Sequence, residues 1–269
     1  MPYVFVKVKG GLGNQLFQYA IGEYLEAKLG KKVIYDVSDY DSKSSREIKL
    51  SELGIENHRL IRSRILSKIF WMLMRIIFRP MIHLEKKYGE IPRYKILVRY
   101  LGFKGYYQTT DFIEPIKEKL IRNTVPESNP EFDGEIAIHM RRGDYTSSKN
   151  MKIHGVCPDE FYLDAIRIMK DRGFKKFRVY SDDIVYAKSI FQFDESISFG
   201  SMSGSSYDFD EFIELAQHRS GLIISNSSFS WWSAIISDSD NVIYPSKWFQ
   251  DPVLQEGASG LRVPTWTAL

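Results

Sequence analysis

At 269 residues, with 43% hydrophobic and 26% charged side chains, the chain suffices for one large domain or two modest ones and has the composition of a globular protein. A net charge of +3 is too small to indicate nucleic acid as a partner, and the lone cysteine, Cys157, excludes an internal disulfide framework and fits a reducing compartment. The opening MPYVFVKVKG has no charged stretch leading into a long apolar core, and no apolar run reaches membrane-spanning length, so a cytoplasmic location is expected.

The segment VFVKVKG reads as a buried strand that runs into glycines. Over 14–30 the apolar positions 16, 17, 20, 21, 24 and 25 fall on one helical face, and Gly30 supplies a stop. KKVIYDV (31–37) then reads as a second strand, making a βαβ unit. Residues 60–84 stand apart. They carry Arg62, Arg64, Lys68, Arg75 and Arg79 with no acid between Glu56 and Glu85. Read as one helix, 64, 68, 75 and 79 form a basic stripe beside Ile65, Ile69, Met72, Leu73, Ile76 and Ile77. Such a helix either lies on an anionic membrane surface or packs on its own lobe with a solvated basic face.

Two prolines and little apolar content mark 122–135 as a linker. Beyond it the spacing predicts strands at 135–140, 176–183, 221–226 and 241–245, and helices at 159–173, 210–218 and 229–237. Two doubly wound α/β lobes, 1–128 and 129–269, are the simplest architecture. In such folds ligands sit beyond the carboxyl ends of strands, and the polar motifs fall there.

Four clusters offer chemistry. GGLGNQ (10–15) joins a strand to a helix and suits an anion at a helix start, although it matches neither the dinucleotide nor the Walker fingerprint; a capped, glycine-rich turn is the plain alternative. HMRRGDY (139–145) follows a buried strand with two guanidinium groups, whose planar forks fit phosphate oxygens; its Arg-Gly-Asp tripeptide also spells an adhesion sequence, a reading that the buried strand before it disfavours. YSDDI (180–184) places Asp182 and Asp183 after the next strand. ISNSSFSWWSA (224–234) sets Asn226, Ser227 and Ser228 ahead of aromatics expected to pack rather than stack on sugar. The five histidines show no zinc spacing, no G-x-S-x-G elbow occurs, and a lone Asp-Asp pair is weak evidence for metal.

The ordered set GGLGNQLFQYA, GYYQ (105–108), HMRRGDY, YSDDI and SNSSFSWW resembles glycosyltransferase family 11, the α-1,2-fucosyltransferases, from Gly10 to about Trp248. The fit is poorest at 38–100, and Leu215-Ala216-Gln217-His218-Arg219 stands where the family often has a cysteine-containing helix. The resemblance implies a GT-B-like fold, two Rossmann-like lobes facing a central cleft, with an acceptor-side lobe at 1–128 and a donor-binding lobe at 129–269 whose tail packs back on the first. It implies inverting transfer of L-fucose from GDP-β-L-fucose to the 2-hydroxyl of a terminal β-galactoside on a free or lipid-linked glycan, without metal or other cofactor. A related enzyme with another donor or linkage is the alternative. By the same analogy Arg141 meets the β-phosphate, Arg142 braces the loop or the nucleotide, and His139 lies near the guanosine. Ser227 and Ser228 lie near the diphosphate, and Asn14 at the sugar-phosphate junction. Gly11, Gly13, Gln15, Asp182, Asp183 and Asn226 complete the expected donor site. Asp144 is the candidate base.

Overall fold

Glu135–Met140 is buried at all six positions, the pattern of a central parallel strand with helices over both faces. In the computed structural model, which describes residues 3–40, 59–90, 97, 99–124, 129–200 and 209–269 (excepting the side chains of Asn123, Thr124, Asp144 and Lys149), this pattern builds two compact α/β units. One comprises Met1–Asn123 with Glu256–Arg262, the other Thr124–Gln255 with Val263–Leu269.

The first unit is built on a parallel sheet in the order β3-β2-β1-β5-β4. Its strands are β1 (Tyr3–Lys7), β2 (Lys32–Asp36), β3 (Leu60–Ile61), β4 (Ile82–Leu84) and β5 (Gly102–Lys104). Its helices include α1 (Leu12–Leu29), α2 (Arg64–Ile77) and α3 (Glu114–Thr124). The chain steps outward from β1 to β2 and β3 and then returns to the other side of β1, so the topological switch lies between β1 and β5.

The second unit repeats the design in the order β11-β10-β9-β6-β7-β8, again parallel. Its strands are β6 (Glu135–Met140), β7 (Lys176–Ser181), β8 (Ile197–Phe199), β9 (Leu222–Ile224), β10 (Val242–Tyr244) and β11 (Thr267–Ala268). They alternate with α4 (Ser148–Ile153), α5 (Asp159–Asp171), α6 (Ile184–Phe191), α7 (Phe209–Gln217), α8 (Ser228–Ser237) and α9 (Pro252–Gly257). Here the switch lies between β6 and β9. On α8, Trp231 and Trp232 are wholly buried and packed edge-on, and Trp231 also meets Trp266. Those aromatics therefore form core, as expected for a helix buried on all sides.

The segment 60–84 departs from the single helix expected. It opens with β3, turns helical only over α2, passes through a 3-10 turn at Arg79–Met81 and ends in β4. Pro80 opens that turn because it cannot continue a helix. The orientation of α2 is also unlike that of an ordinary packed helix. Asp36, fully buried at the end of β2, accepts hydrogen bonds from Ser67 Oγ (2.5 Å) and Trp71 Nε1 (2.6 Å). Burial alone would raise the Asp36 pKa, but these bonds and those of Ser38 outweigh it and hold the carboxyl below its ordinary value. Satisfying this carboxylate turns Ser67, Trp71 and Met74 toward the sheet and leaves the more apolar side of the helix in solvent.

Candidate functional site

In the second unit the polypeptide leaves β6, β7 and β9 on one edge of the sheet, and three polar turns meet there. Arg141 directly follows β6. Its Nη1 lies 2.6 Å from Asp182 Oδ2, in the turn after β7, with side chains only 5% and 11% exposed. The other Asp182 oxygen accepts from the Arg142 backbone N–H at 2.8 Å, so one carboxylate fixes both the charge and the path of the arginine loop. Gly143 leaves room for this approach: a Cβ there would fall 2.3 Å from Asp182 Oδ2 and push that carboxylate aside.

Arg142 points elsewhere. Its guanidinium stacks over the Tyr186 ring at 3.3 Å, and its Nε donates to Asp183 Oδ2 at 3.4 Å. Asp183 also caps α6 by accepting from Tyr186 N, while Tyr186 Oη donates to Asp159. Such stacking and bracing exploit the planar arginine group, which lysine cannot copy. Asp144 lies on the 3-10 turn Gly143–Thr146; its side chain is outside the described residues. Tyr145 stacks on His154 at 4.7 Å between ring centroids, and the Arg141 guanidinium lies 5.5 Å from the Tyr145 ring.

His139 sits inside β6, buried, with Nδ1 2.9 Å from Ser225 Oγ and its ring against Phe229. Burial first, and then the Arg141 charge, push its pKa down to about 3, so the ring is neutral near pH 7. Asn226 has a positioning geometry. Its Nδ2 donates to the carbonyls of His154 (2.9 Å), Trp248 (3.1 Å) and Gly155 (3.3 Å), tying three loops together behind the site. Ser227 is the N-cap of α8 and has no side-chain capping bond, while Ser228 is the first helical residue. The start of α8 thus faces the β6/β9 switch, where a helix N-terminus favours an anion.

Gly11, Gly13, Asn14 and Gln15 belong to the first unit and surround its β1/β5 switch. The helix begins at Leu12 with Gly11 as N-cap, two residues earlier than its apolar periodicity suggests. Gly10 adopts φ +93°, and a Cβ there would meet Asn14 Nδ2 at 2.7 Å. Gly13 is buried within α1, and Gln15 Nε2 donates to Gly10 O at 3.3 Å. Asn14 Oδ1 accepts from Gln108 Nε2 at 2.5 Å, joining GGLGNQ to GYYQ. Gln108 in turn accepts from Tyr88 Oη.

Sequence reasoning missed Glu85, whose Oε2 accepts from Tyr106 N (2.5 Å) and whose Oε1 accepts from Gly89 N (3.1 Å); burial raises its pKa despite those bonds. Sequence alone gives Tyr107 of the GYYQ motif no role; it is held at φ +52° with its hydroxyl donating to His83 O. That left-handed tyrosine is local strain maintained by its surroundings. Of the missed residues, only Tyr186 carried a usable signal, three positions after the capping Asp183. Among the described residues no three His, Cys, Asp or Glu side chains gather as a metal site.

A sequence model of the family described as "Glycosyl transferase family 11" matches residues 102–269. An alpha-1,2-colitosyltransferase of Escherichia coli is 30% identical over 276 residues, spanning 93% of each chain. The O-antigen biosynthesis glycosyltransferase WbnK, also of Escherichia coli, is 28% identical across 97% of this chain and 99% of its own. Among solved structures, Escherichia coli heptosyltransferase WaaC with ADP-2-deoxy-2-fluoro heptose superposes with a TM-score of 0.52 at 13% identity, covering 99% and 92% of the two chains. At that identity the likeness concerns the fold alone, the two-unit α/β arrangement called GT-B.

Proposed function

The chain belongs to glycosyl transferase family 11, and from that premise we propose that it moves L-fucose from GDP-β-L-fucose to the 2-hydroxyl of a terminal β-galactoside on a glycan acceptor. The observation that carries this reading is the tandem arginine turn at the β6/β9 switch, opposite the start of α8. In the proposed reaction the acceptor O2 attacks the anomeric carbon from the face opposite GDP. The C1–O bond breaks with its electron pair passing to the β-phosphate oxygen, and the configuration inverts. Charge therefore grows on that oxygen in the transition state, and a donor already fixed there stabilises the transition state more than the ground state.

Arg141 is assigned that role because Asp182 holds its guanidinium in place before substrate arrives. Arg142 braces the turn through Tyr186 and Asp183. Ser227, Ser228 and the N–H groups opening α8 receive the diphosphate. His139 and Asn226 act from behind, one as a neutral buried ring, the other as the tie between loops. Asn14, with Gly11, Gly13 and Gln15, is assigned to the sugar-phosphate junction on the family resemblance. Asp144 takes the acceptor proton. Metal independence belongs to the same reading, since Asp182 and Asp183 are already engaged by the arginine turn and by the start of α6.

The colitosyl-transferring relative supports a second donor: colitose is fucose without its 3-hydroxyl, so the same diphosphate site would hold either sugar. A panel of GDP-fucose, GDP-colitose, GDP-mannose, UDP-galactose and ADP-heptose, read by thermal stabilisation and then by product NMR, decides the matter. A GDP-linked 6-deoxy sugar should stabilise most and yield an α-1,2 product. Stabilisation by only UDP or ADP sugars would refute the proposal.

A further inference from the structure

Helix α2 presents three distinct faces when its residues are placed at about 100° per position. Ser67, Trp71 and Met74 face the sheet. Next around the axis come Arg64, Lys68 and Arg75, with Arg79 just beyond the helix end. The remaining arc holds Ile65, Leu66, Ile69, Met72, Leu73, Ile76 and Ile77, all exposed, with Ile65 at 71% and Ile76 at 72%. Seven large apolar side chains on one exposed helical face are far more than single scattered surface hydrophobics, and contiguous patches of that kind mark interaction sites.

The charge beside this face is equally lopsided. A groove of about 810 Å³ runs along the basic arc and is lined by Lys7, Arg64, Lys68, Arg75, Arg79 and Lys104, with Asp39 the one acid among the described residues on its wall. Lys7 already bonds Asp36 and Asp39. Lys104 lies over the Trp71 ring at 4.2 Å, and its pKa is lowered, first by burial and then by the Lys7 charge. Lys68, Arg75 and Arg79 form no ion pair among the described residues. Clustered cations without counter-charges repel one another, and an anionic partner relieves that repulsion.

We propose that α2 is an interfacial helix that seats the first unit on an anionic lipid bilayer. Its apolar arc enters the boundary between headgroups and acyl chains, and Lys68, Arg75 and Arg79 meet lipid phosphates beside it. Adjacent apolar and basic arcs are what such a surface selects, whereas a second protein copy would have to bring acids to meet Lys68, Arg75 and Arg79. The Asp36 anchor gives the arrangement its rigidity, because it fixes which side of α2 faces outward. This inference is independent of which sugar the enzyme transfers.

The test is co-sedimentation of the full chain with phosphatidylglycerol or phosphatidylcholine vesicles at low and physiological salt. Binding should favour phosphatidylglycerol and weaken with salt, as screening shortens to about 8 Å near 0.15 M. Neutralising Lys68, Arg75 and Arg79 together to glutamine should lower the phosphatidylglycerol partition coefficient by on the order of a hundredfold. A separate variant, Ile65→Gln with Ile69→Gln and Ile76→Gln, should lose binding to both lipids. All substituted positions are exposed, so circular dichroism and the melting point should stay native. Failure of the native chain to sediment at low salt would overturn the proposal, as would unchanged partitioning of the neutralised variant. Vesicle-free dimerisation abolished by the isoleucine substitutions, without any lipid binding, would show that a second copy covers the face and would overturn it equally.

Discussion

Replacing Asp182 by asparagine probes the arginine turn most sharply, because it removes a charge while keeping shape. Asparagine can still accept from the Arg142 N–H, at 2.8 Å in the native chain, but it presents no counter-charge to Arg141 Nη1, which lies 2.6 Å from the carboxylate. The buried guanidinium, 5% exposed, then loses this counter-charge. Removing one partner of a buried pair costs about 3–5 kcal/mol. Asp182 retains 11% exposure, so some water reaches the site and the lower end, about 3 kcal/mol, applies here. For a unit of this size that is roughly 6–12 °C in Tm. Differential scanning fluorimetry reads this directly. Adding GDP provides the second arm. At one fixed GDP concentration, a hundred times the native Kd, the native chain gains about 2.7 kcal/mol. The variant should gain more than the native chain, because the diphosphate replaces the missing carboxylate. A variant as stable as the native chain, or one whose gain from GDP is no larger, would refute the reasoning.

Asn226→Ala should cost about 3 kcal/mol in urea unfolding, since it leaves the carbonyls of His154, Gly155 and Trp248 without their shared donor. Acid should weaken the fold through His139. Its folded pKa of about 3 lies below the usual value near 6.5, so between these limits the unfolded chain binds the extra proton. Its contribution is full above about pH 6.5 and falls by about 1.4 kcal/mol per pH unit below it, a slope that His139→Gln should reduce in urea titrations at several pH values. His218, whose pKa burial also lowers, adds in the same direction. Transfer from GDP-fucose should survive excess EDTA in a radiolabel assay. Loss on chelation with recovery on manganese would put Asp182 and Asp183 on a metal instead.

The parallel rhythm of the second unit was legible because each strand is a short apolar run followed at once by polar turn residues and an amphipathic helix. Glu135–Met140 has the boundaries that its sequence suggests. The turns carrying Arg141, Asp182 and Ser227 were legible for the same reason, as charged or hydroxyl groups just past buried strands. The first unit hid more. Two- and three-residue strands such as Leu60–Ile61 and Ile82–Leu84 are too short to show a period, and the apolar residues flanking α2 continued its pattern into them. The outward face of α2 was not legible either. It depends on Asp36 meeting Ser67 and Trp71, a contact across thirty-one and thirty-five positions that no local pattern encodes. The roles of Glu85 and of Tyr107 within GYYQ were illegible likewise, because backbone N–H groups and a positive φ define them.

The central claim is that Arg141 stabilises the departing GDP. Its most direct test is kcat for GDP-fucose transfer in Arg141→Ala and Arg141→Lys, measured below the melting point of each variant. Losing a donor of this kind should lower kcat of the alanine variant by about a hundredfold or more. Lysine should recover little of it, because a point charge lacks the fixed planar fork. Near-native kcat in a folded Arg141→Ala protein would contradict the assignment.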